Sequence, residues 1–425
     1  MHAKCDIQSR REAILKYNSE HKWRKRGLSI IPTKFGINFT AKFLNQAGAL
    51  VHVYTDGTVL VSHGGTEMGQ GLHTKMIQVA ARALGISVDR VHISESSTSS
   101  VPNASPTAAS ASSDMYGMAV LNACEQIAEK LAPYYKKIND GKNEEEGKKT
   151  DPEQLEKWGD DKSFGAAVLN AYFDRVNLSA QGFYKVPGCG YDWGMPQEAT
   201  ASDNAIRGTP FNYFTFGISC SEVEIDVMTG DMRILRADVM MEMGNPINPA
   251  LDVGQIEGAY VQGMGWCMME ECVWGAAPTA PTSDGETKSD EFIQTKLGGE
   301  GAGHVWLRPG TCFTRGPGTY KIPSFNDVPV DMRIYLLGDA PNNKAVHSSK
   351  AIGEPPFFTA SSVFFATRNA IAAARNEHAN DDSFFIVNSP LTPERIRMAC
   401  GDTISQSVQR HMMANGGSER PPLFC

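Results

Sequence analysis

A glycine-rich segment between a predicted hairpin and a predicted helix most strongly constrains the fold of this chain. The segment is His63–Lys75, with the sequence HGGTEMGQGLHTK. Alternating apolar residues predict strands at Leu50–Tyr54 and Val59–Ser62, and helical spacing predicts a helix at Thr74–Leu84. Glycine allows close backbone approach, so N–H groups at a helix start can face the oxygens of an anion. A turn that only reverses the chain is the alternative, and the spacing matches neither a Walker loop nor GxGxxG.

A second segment, Ser99–Asp114, contains almost nothing larger than valine. This composition is typical of a linker. A helix is predicted directly after it at Asp114–Lys130, and Asp114 is a residue type that caps helices. The small residues therefore stand at a second helix entrance, and two such entrances could converge on one anion.

A third segment, Lys350–Pro356, reads KAIGEPP and precedes a predicted apolar helix at Phe357–Arg375. Two prolines fix the entry to this helix and are tolerated in its first turn. Glu354 stands beside them. It is either a carboxylate that favours the helix N-terminus or a positioned general base, and the local sequence leaves both readings open.

These three segments resemble the C-terminal part of the molybdenum-binding region in the molybdenum hydroxylase family, which includes xanthine dehydrogenases and aldehyde oxidases. The sequences FGINFT and KAIGEPP look more like the xanthine-oxidising branch. The resemblance extends along most of the chain, through Trp23–Thr40, Phe43–Met76, Val101–Ser110, Cys220–Asp231, Asn248–Gly265, Thr314–Leu337 and Ser349–Phe358.

The resemblance implies a molybdenum-dependent oxidoreductase of purine catabolism that hydroxylates hypoxanthine and xanthine to urate. Glu354 matches the family's catalytic base. It would take a proton from a molybdenum-bound hydroxyl as the oxygen attacks the purine carbon, while hydride passes to a sulfido ligand. The molybdenum-molybdopterin cofactor would supply the redox chemistry, and the side chains would position and activate.

The resemblance also implies a set of cofactor contacts. Gln70 and Ala109 match positions near molybdenum, and neither side chain is a direct metal ligand. Gln255 matches a contact to the pterin, although a satisfied core amide is the alternative for Gln255 and simple helix packing is the alternative for Ala109. The other expected cofactor donors, through backbone or hydroxyl groups, are Gly69, Gly71 and Ser110.

Phe39 and Thr40 fall in the family's substrate motif, where an aromatic face can stack on a purine and a hydroxyl can bond a heteroatom. A core aromatic at a strand end is the structural alternative for Phe39. A metal site built from histidines is not expected, because neither the spacing nor the family gives them that role. These histidines are His52, His63 and His73.

Composition limits the partners and the compartment. A formal net charge of −8 argues against nucleic acid or an anionic membrane as partner. The chain has no apolar run of membrane-spanning length and no apolar signal core, so a cytoplasmic protein is expected, with a peroxisomal location left open. Its nine cysteines are dispersed without a CxxC pair, which favours reduced thiols and excludes the usual iron–sulfur ligand groups.

Alternating strand and helix patterns predict an α+β fold, with mixed and antiparallel sheets covered by helices. The resemblance places residues 1–45 at the end of a first molybdenum-binding domain and residues 46–425 in a second. Exposed insertions are expected near residues 136–162 and 276–303. Further predicted strands are Ile218–Val227, Met232–Met241 and Val328–Leu337, and a further predicted helix is Gly254–Glu271.

The resemblance further implies groups and partners that this chain lacks. FAD and [2Fe-2S] clusters would belong to upstream regions, with NAD or oxygen as final electron acceptor and a homodimer as the complete form. The chain alone is therefore not expected to be self-sufficient. Two alternatives stay open, which are an inactive or incomplete fragment of such an enzyme and an aldehyde oxidase.

Overall fold

The computed structural model describes residues 4–146, 161–193, 208–275, 293–296, 304–307, 310–379 and 383–414. Its α-helices are α1 (Ile7–Glu20), α2 (Leu72–Leu84), α3 (Ser112–Glu146), α4 (Asp161–Phe173), α5 (Pro249–Met268), α6 (Ser361–Ala379), α7 (Pro393–Ala399) and α8 (Thr403–Ala414). Its strands are β1 (Arg24–Ile37), β2 (Gln46–Val53), β3 (Val59–His63), β4 (Val91–Ile93), β5 (Ser179–Lys185), β6 (Gly190–Tyr191), β7 (Gly208–Thr209), β8 (Tyr213–Asp226), β9 (Met232–Glu242), β10 (Ile293–Lys296), β11 (His304–Leu307) and β12 (Asp331–Leu337).

Two four-stranded sheets organise the described part of the chain. Sheet A has the order β1-β8-β9-β12, in which only β9 and β12 run parallel. Sheet B has the order β4-β3-β2-β5, in which only β3 and β4 run parallel. The predicted hairpin is confirmed as β2 and β3, and the predicted α+β class with mixed sheets is confirmed as well.

Each sheet buries one face against helices, which gives two apolar cores. The first core lies between sheet B and helices α2, α3 and α4. The second lies between sheet A and helices α5, α6 and α7. Burial of these apolar faces is the main force that stabilises such layered folds.

Glycine allows a helix to lie unusually close to each sheet. A Cβ atom added to Gly27 of β1 would overlap the carbonyl oxygen of Ala366 in α6. A Cβ atom added to Gly182 of β5 would overlap the carbonyl oxygen of Ala119 in α3. Any larger residue at either position would therefore push a covering helix away from its sheet.

The segment that precedes Glu354 runs between the two cores. Val346 is buried in the first core and Ile352 is buried in the second. One end of this short stretch is therefore anchored in the first core and the other end in the second core. The segment fixes the position of Glu354 relative to both sheets.

The helix predicted at Phe357–Arg375 begins differently. A 3-10 helix at Phe357–Ala360 comes first, and α6 starts only at Ser361. Pro355 and Pro356 lack backbone N–H groups. The N–H group of Phe357 instead reaches the carbonyl oxygen of Glu354, three residues back, which tightens the first turn.

The two predicted insertions are described only in part. Helix α3 continues through the first part of the stretch 136–162, to Glu146, so that part is helical. The second stretch, 276–303, is described at β10, which pairs with β11. The expected exposed insertions stay a prediction. The rest of both stretches lies outside the described residues, except for the start of α4 at Asp161.

The domain boundary near residue 45 stays a prediction. Strand β1, on the N-terminal side of that boundary, pairs with β8 from Arg24 to Ile37. Within the described residues, no helix is both long and apolar enough to cross a membrane.

Candidate functional site

A cavity of about 300 Å³ brings together four of the residues predicted to carry function. Gln70, Ser110, Gln255 and Glu354 all line it. They come from the glycine-rich loop, the small-residue segment, helix α5 and the segment between the two cores. Elements distant in sequence therefore meet at one place, as the resemblance implies.

Two helix N-termini open onto this cavity. Leu72 and Lys75 belong to the first turn of α2, and Ser112 and Ser113 begin α3, and all four residues line the wall. The unpaired N–H groups and the dipole of a helix N-terminus favour negative charge. The predicted convergence of two helix entrances is confirmed, while an anion bound between them stays a prediction.

Ser110 holds Glu354 at the edge of the cavity through two hydrogen bonds. The Ser110 hydroxyl donates to Oε2 of Glu354 at 2.9 Å, and the same oxygen accepts from the Glu354 backbone N–H at 2.8 Å. The Glu354 side chain is exposed. Oε1 has no hydrogen-bond partner among the described residues, so it remains available as a hydrogen-bond acceptor.

The backbone at Ala109 and Ser110 is strained. Both residues have left-handed φ angles, 55° and 53° respectively. Each such non-glycine residue costs on the order of 1–3 kcal/mol, and strain of this kind clusters at functional sites. The Ala109 carbonyl oxygen accepts from the Asn38 N–H at 3.4 Å, which ties this loop to the end of β1.

Glu67 organises the glycine-rich loop. Its carboxylate accepts from the N–H groups of Gly69, Gly71 and His73 at 2.9, 2.9 and 2.8 Å. Burial opposes ionisation of this carboxylate, but the three N–H groups outweigh burial and lower its pKa. The N–H groups of Gly69 and Gly71 therefore face Glu67 in this structure, and their predicted contact with a cofactor stays a prediction.

Gln70 is also bonded within its own loop. Its Oε1 accepts from the Met68 N–H at 2.6 Å, and its Nε2 donates to the Thr66 carbonyl at 2.9 Å. A primary amide carries two N–H bonds, so one donor remains available toward the cavity. The Gln255 side chain, by contrast, makes no hydrogen bond to any described residue.

A buried ion pair lies under the cavity. Lys75 donates to Asp252 at 2.6 Å, and Lys75 itself lines the wall. Burial raises the pKa of Asp252, with the attraction of Lys75 acting against that rise. The pair links the first turns of α2 and α5 and places a cation beside the two helix N-termini.

Asp114 does not cap α3, so that prediction is wrong. The helix begins two residues earlier, at Ser112, and the buried Asp114 carboxylate accepts instead from the Tyr213 hydroxyl at 2.6 Å. Asp114 is buried away from water, so its carboxylate needs a hydrogen-bond donor from the protein. The Tyr213 hydroxyl supplies that donor.

Three residues predicted to carry function, Phe39, Thr40 and Ala109, are not among the described residues that line the cavity. Phe39 packs against the first core, which is the structural alternative considered for it. The Asn45 side chain accepts a hydrogen bond from the Phe39 N–H and donates one to the Phe39 carbonyl. The Thr40 carbonyl accepts from the backbone N–H of Tyr191. Their roles in substrate binding stay predictions.

Two of the three histidines considered in the sequence, His63 and His73, form a hydrogen-bonded pair. His63 Nδ1 accepts from the Gly65 N–H at 3.1 Å, and His63 Nε2 lies 3.0 Å from Nδ1 of His73. The first contact leaves the proton of neutral His63 on Nε2, so His63 donates to His73. Burial lowers the pKa of His63 to about 4.

Sequence reasoning missed three groups that shape the site: Glu67, the Lys75–Asp252 pair and Tyr213. Glu67 lies inside the glycine-rich motif, and a carboxylate two residues before a glycine was an available signal for a loop-closing acceptor. Lys75 and Asp252 look like ordinary surface residues of amphipathic helices. Tyr213 reaches Asp114 across 99 positions, and no local pattern indicates such a contact.

Comparisons with known proteins identify the family of this chain. A family described as the molybdopterin cofactor-binding domain matches residues 1–297. Xanthine dehydrogenase of Oryza sativa subsp. japonica is 48% identical over 402 residues, covering 95% of this chain and 25% of the relative. Xanthine dehydrogenase 1 of Arabidopsis thaliana is 51% identical over 399 residues, covering 94% of this chain and 25% of the relative.

Among solved structures, quinoline 2-oxidoreductase from Pseudomonas putida 86 matches with a TM-score of 0.66 and 19% identity. The match covers 94% of this chain and 44% of that chain, and it bears on the fold alone. The chain spans about a quarter of the length of the two plant relatives.

Proposed function

Because the chain belongs to the molybdopterin cofactor-binding domain family, we propose that it supplies the base and one wall of the cofactor site in a xanthine dehydrogenase. The observation that carries this proposal is the placement of Glu354. Its carboxylate is held by Ser110 at the edge of a cavity that Gln70 and Gln255 also line.

The residues of the cavity fit an anionic, oxygen-rich group. Gln255 presents an amide without a partner among the described residues, and the helices α2 and α3 direct their N-termini at the same space. Lys75 adds a cation. In the proposed complex Gln70, Gln255 and Ser110 hold the cofactor, and the backbone around Ala109, Gly69 and Gly71 lies against it.

When bound, the molybdenum–pterin group supplies the two-electron oxidation and the transferred oxygen, so the side chains bind, orient and move a proton. Glu354 accepts that proton at Oε1, from the oxygen nucleophile that adds to an electron-poor purine carbon. Ser110 fixes Oε2 meanwhile. The carboxylate therefore keeps one orientation throughout the transfer.

Phe39 and Thr40 are proposed to contact the purine. They follow Asn38, whose N–H is bonded to the carbonyl of Ala109. That contact supports a position beside the cofactor loop. Stacking on Phe39 and a hydrogen bond from Thr40 would orient the ring of hypoxanthine or xanthine.

The remaining features of a complete enzyme are also proposals. They comprise FAD and iron–sulfur clusters on other regions, NAD or oxygen as the final acceptor, a homodimer, and a cytoplasmic or peroxisomal location. The facing wall of the site would come from the preceding molybdenum-binding domain, of which residues 1–45 are proposed to be the end.

A hybrid enzyme tests the function directly. In it, this chain replaces the matching quarter of Arabidopsis thaliana xanthine dehydrogenase 1, to which 399 of its residues align. We expect the hybrid to retain molybdenum and to form urate from hypoxanthine and xanthine. Turnover of benzaldehyde without urate would indicate an aldehyde oxidase, and loss of molybdenum would indicate an inactive fragment.

A further inference from the structure

The hydroxyl of Tyr213 joins the segment that carries Glu354 to a buried carboxyl. It donates to Oδ2 of Asp114 at 2.6 Å and accepts from the backbone N–H of Ala351 at 2.8 Å. Tyr213 is 8% exposed, and Asp114 and Ala351 are each 3% exposed, so water cannot readily replace either partner.

Other contacts confine the same segment. The Lys350 N–H bonds the Met243 carbonyl, and the Lys350 ammonium bonds Glu242 at 2.6 Å. At the other end, the Glu354 N–H bonds Ser110. Only two residues separate Ala351 from Glu354, so a shift at the Tyr213 bond has little backbone to absorb it before it reaches the carboxylate.

We propose that Tyr213 and Asp114 are positioning residues for Glu354, since together they fix the backbone at Ala351 from a point outside the cofactor cavity. This role rests on the proposed function only in assigning the base to Glu354. The two hydrogen bonds of the Tyr213 hydroxyl, to Asp114 and to the Ala351 N–H, are called the tie below. They are a property of the fold.

Packing alone does not account for this pair. Oδ1 of Asp114 is buried and has no hydrogen-bond partner among the described residues. A half-satisfied buried carboxyl is costly, and an apolar side chain of similar size would fill the space at less cost. The Asp114 carboxyl therefore does more than fill volume. It holds the Tyr213 hydroxyl in the orientation that accepts a hydrogen bond from the Ala351 N–H.

The tie should also respond to pH. Burial raises the pKa of Asp114 to about 7, while the Tyr213 hydroxyl and Lys75 oppose the rise. Lys75 of α2, with its partner Asp252 of α5, and Tyr184 of β5 also face this carboxyl, and Lys350 lies over the Tyr213 ring. A raised pKa means that the closed arrangement is more stable below that pKa, so opening that hydrates Asp114 becomes easier as pH rises through it.

Amide hydrogen exchange with single-residue resolution, measured on the full chain without cofactor or substrate, tests the tie. Tyr213→Phe should raise exchange at Ala351 and Glu354 by roughly 3- to 10-fold, as expected for one lost hydrogen bond. Tyr184→Phe is the matched control, because Tyr184 is near Asp114 without a hydrogen bond to it, and we expect no change. Equal acceleration throughout sheet A in Tyr213→Phe, or none at Ala351, would overturn the proposal.

Asp114→Asn provides a second variant, in case Tyr213→Phe does not fold. Its amide oxygen can still accept from Tyr213, but it does not titrate. Exchange at Ala351 and Glu354, corrected for the intrinsic rate, should rise from about pH 5 to about pH 7 in the parent chain and level off above that, and it should stay flat in the variant. A rise that persists in Asp114→Asn would overturn the role of Asp114. Because no turnover is measured, a failure of the proposed function would leave these outcomes unchanged.

Discussion

Ser110 and Glu354 hold each other through a reciprocal pair of hydrogen bonds, although 244 positions separate them in the chain. The serine hydroxyl donates to the carboxylate and accepts from the backbone N–H of the same residue. Ser110 reaches this position with a left-handed φ of 53°. The strain at Ser110 and the orientation of Glu354 are therefore parts of one arrangement, and several predictions test it.

Replacing Ser110 by alanine should weaken the control of Glu354 without removing the base. In the hybrid enzyme, we expect Ser110→Ala to lower kcat by roughly 10- to 150-fold, because a hydrogen bond to a charged group contributes ~1.5–3 kcal/mol. Ser113→Ala is the control, since Ser113 lines the same cavity without a bond to Glu354. Steady-state kinetics with xanthine measures both, and equal effects would argue against a special role for Ser110.

Replacing Glu354 by glutamine should remove the proton acceptor while keeping size and polarity. We expect molybdenum content to be unchanged and xanthine oxidation to fall by at least ~100-fold, because a general base typically contributes ~10²–10⁴. Metal analysis and urate formation in the hybrid enzyme provide the two readouts. Turnover near that of the parent would exclude Glu354 as the base.

Local sequence patterns explain much of the fold. The hairpin β2–β3 follows from apolar alternation around Thr55–Thr58, and α2 follows from helical spacing after the glycines. The pairing of β1 with β8 does not follow, because Arg24 and Asp226 meet only in the folded chain. Strand order depends on which surfaces pack together, and local periodicity carries no information about that.

The site shows the same division. Resemblance and motif chemistry indicate Gln70, Ser110, Gln255 and Glu354, and the structure places all four on one cavity. The sequence does not indicate the tertiary contacts among polar residues. Lys75, for example, has the appearance of an exposed helix residue until α5 brings Asp252 against it.

Enlarging Ala109 should disturb the cofactor loop. Its φ of 55° is already unfavourable, and both neighbours, Ala108 and Ser110, line the cavity. We expect Ala109→Leu to lower molybdenum occupancy of the hybrid enzyme, since overpacking typically costs ~1–3 kcal/mol. Ala109→Gly, which relieves the backbone strain, should retain the metal. A leucine variant with full molybdenum content and unchanged kinetics would show that the position tolerates bulk.

Removing the charge of Glu67 should destabilise the glycine-rich loop. Glutamine keeps one acceptor oxygen but turns an amide donor toward an N–H group that Glu67 now satisfies. We expect Glu67→Gln to lower the free energy of unfolding of the full chain by roughly 1–2 kcal/mol near neutral pH. Glu95→Gln, at an exposed glutamate, is the control. Because the pKa of Glu67 is lowered, the difference should shrink as the solution becomes acidic.

His63 should make the protein less stable in mild acid. Its pKa falls from 6.5 to about 4 on folding because burial disfavours the charged ring, so the unfolded chain binds a proton more readily between these values. Stability is therefore lost as pH falls through this window, by up to about 3 kcal/mol. Asp114 has the opposite effect. Its pKa is raised from 3.8 to about 7, so its contribution to the free energy of unfolding decreases as pH rises between these two values.

A variant isolates the contribution of His63 from that of Asp114. His63→Asn keeps an acceptor close to the Gly65 N–H but does not titrate. We expect the variant to be less stable than the parent near pH 7, because the smaller side chain leaves a cavity. The difference between the two proteins should narrow steadily as pH is lowered toward about 4, since only the parent must bury a histidine that the unfolded chain protonates. Urea unfolding of both chains across this range measures the difference, and a constant gap would mean that His63 has no shifted pKa.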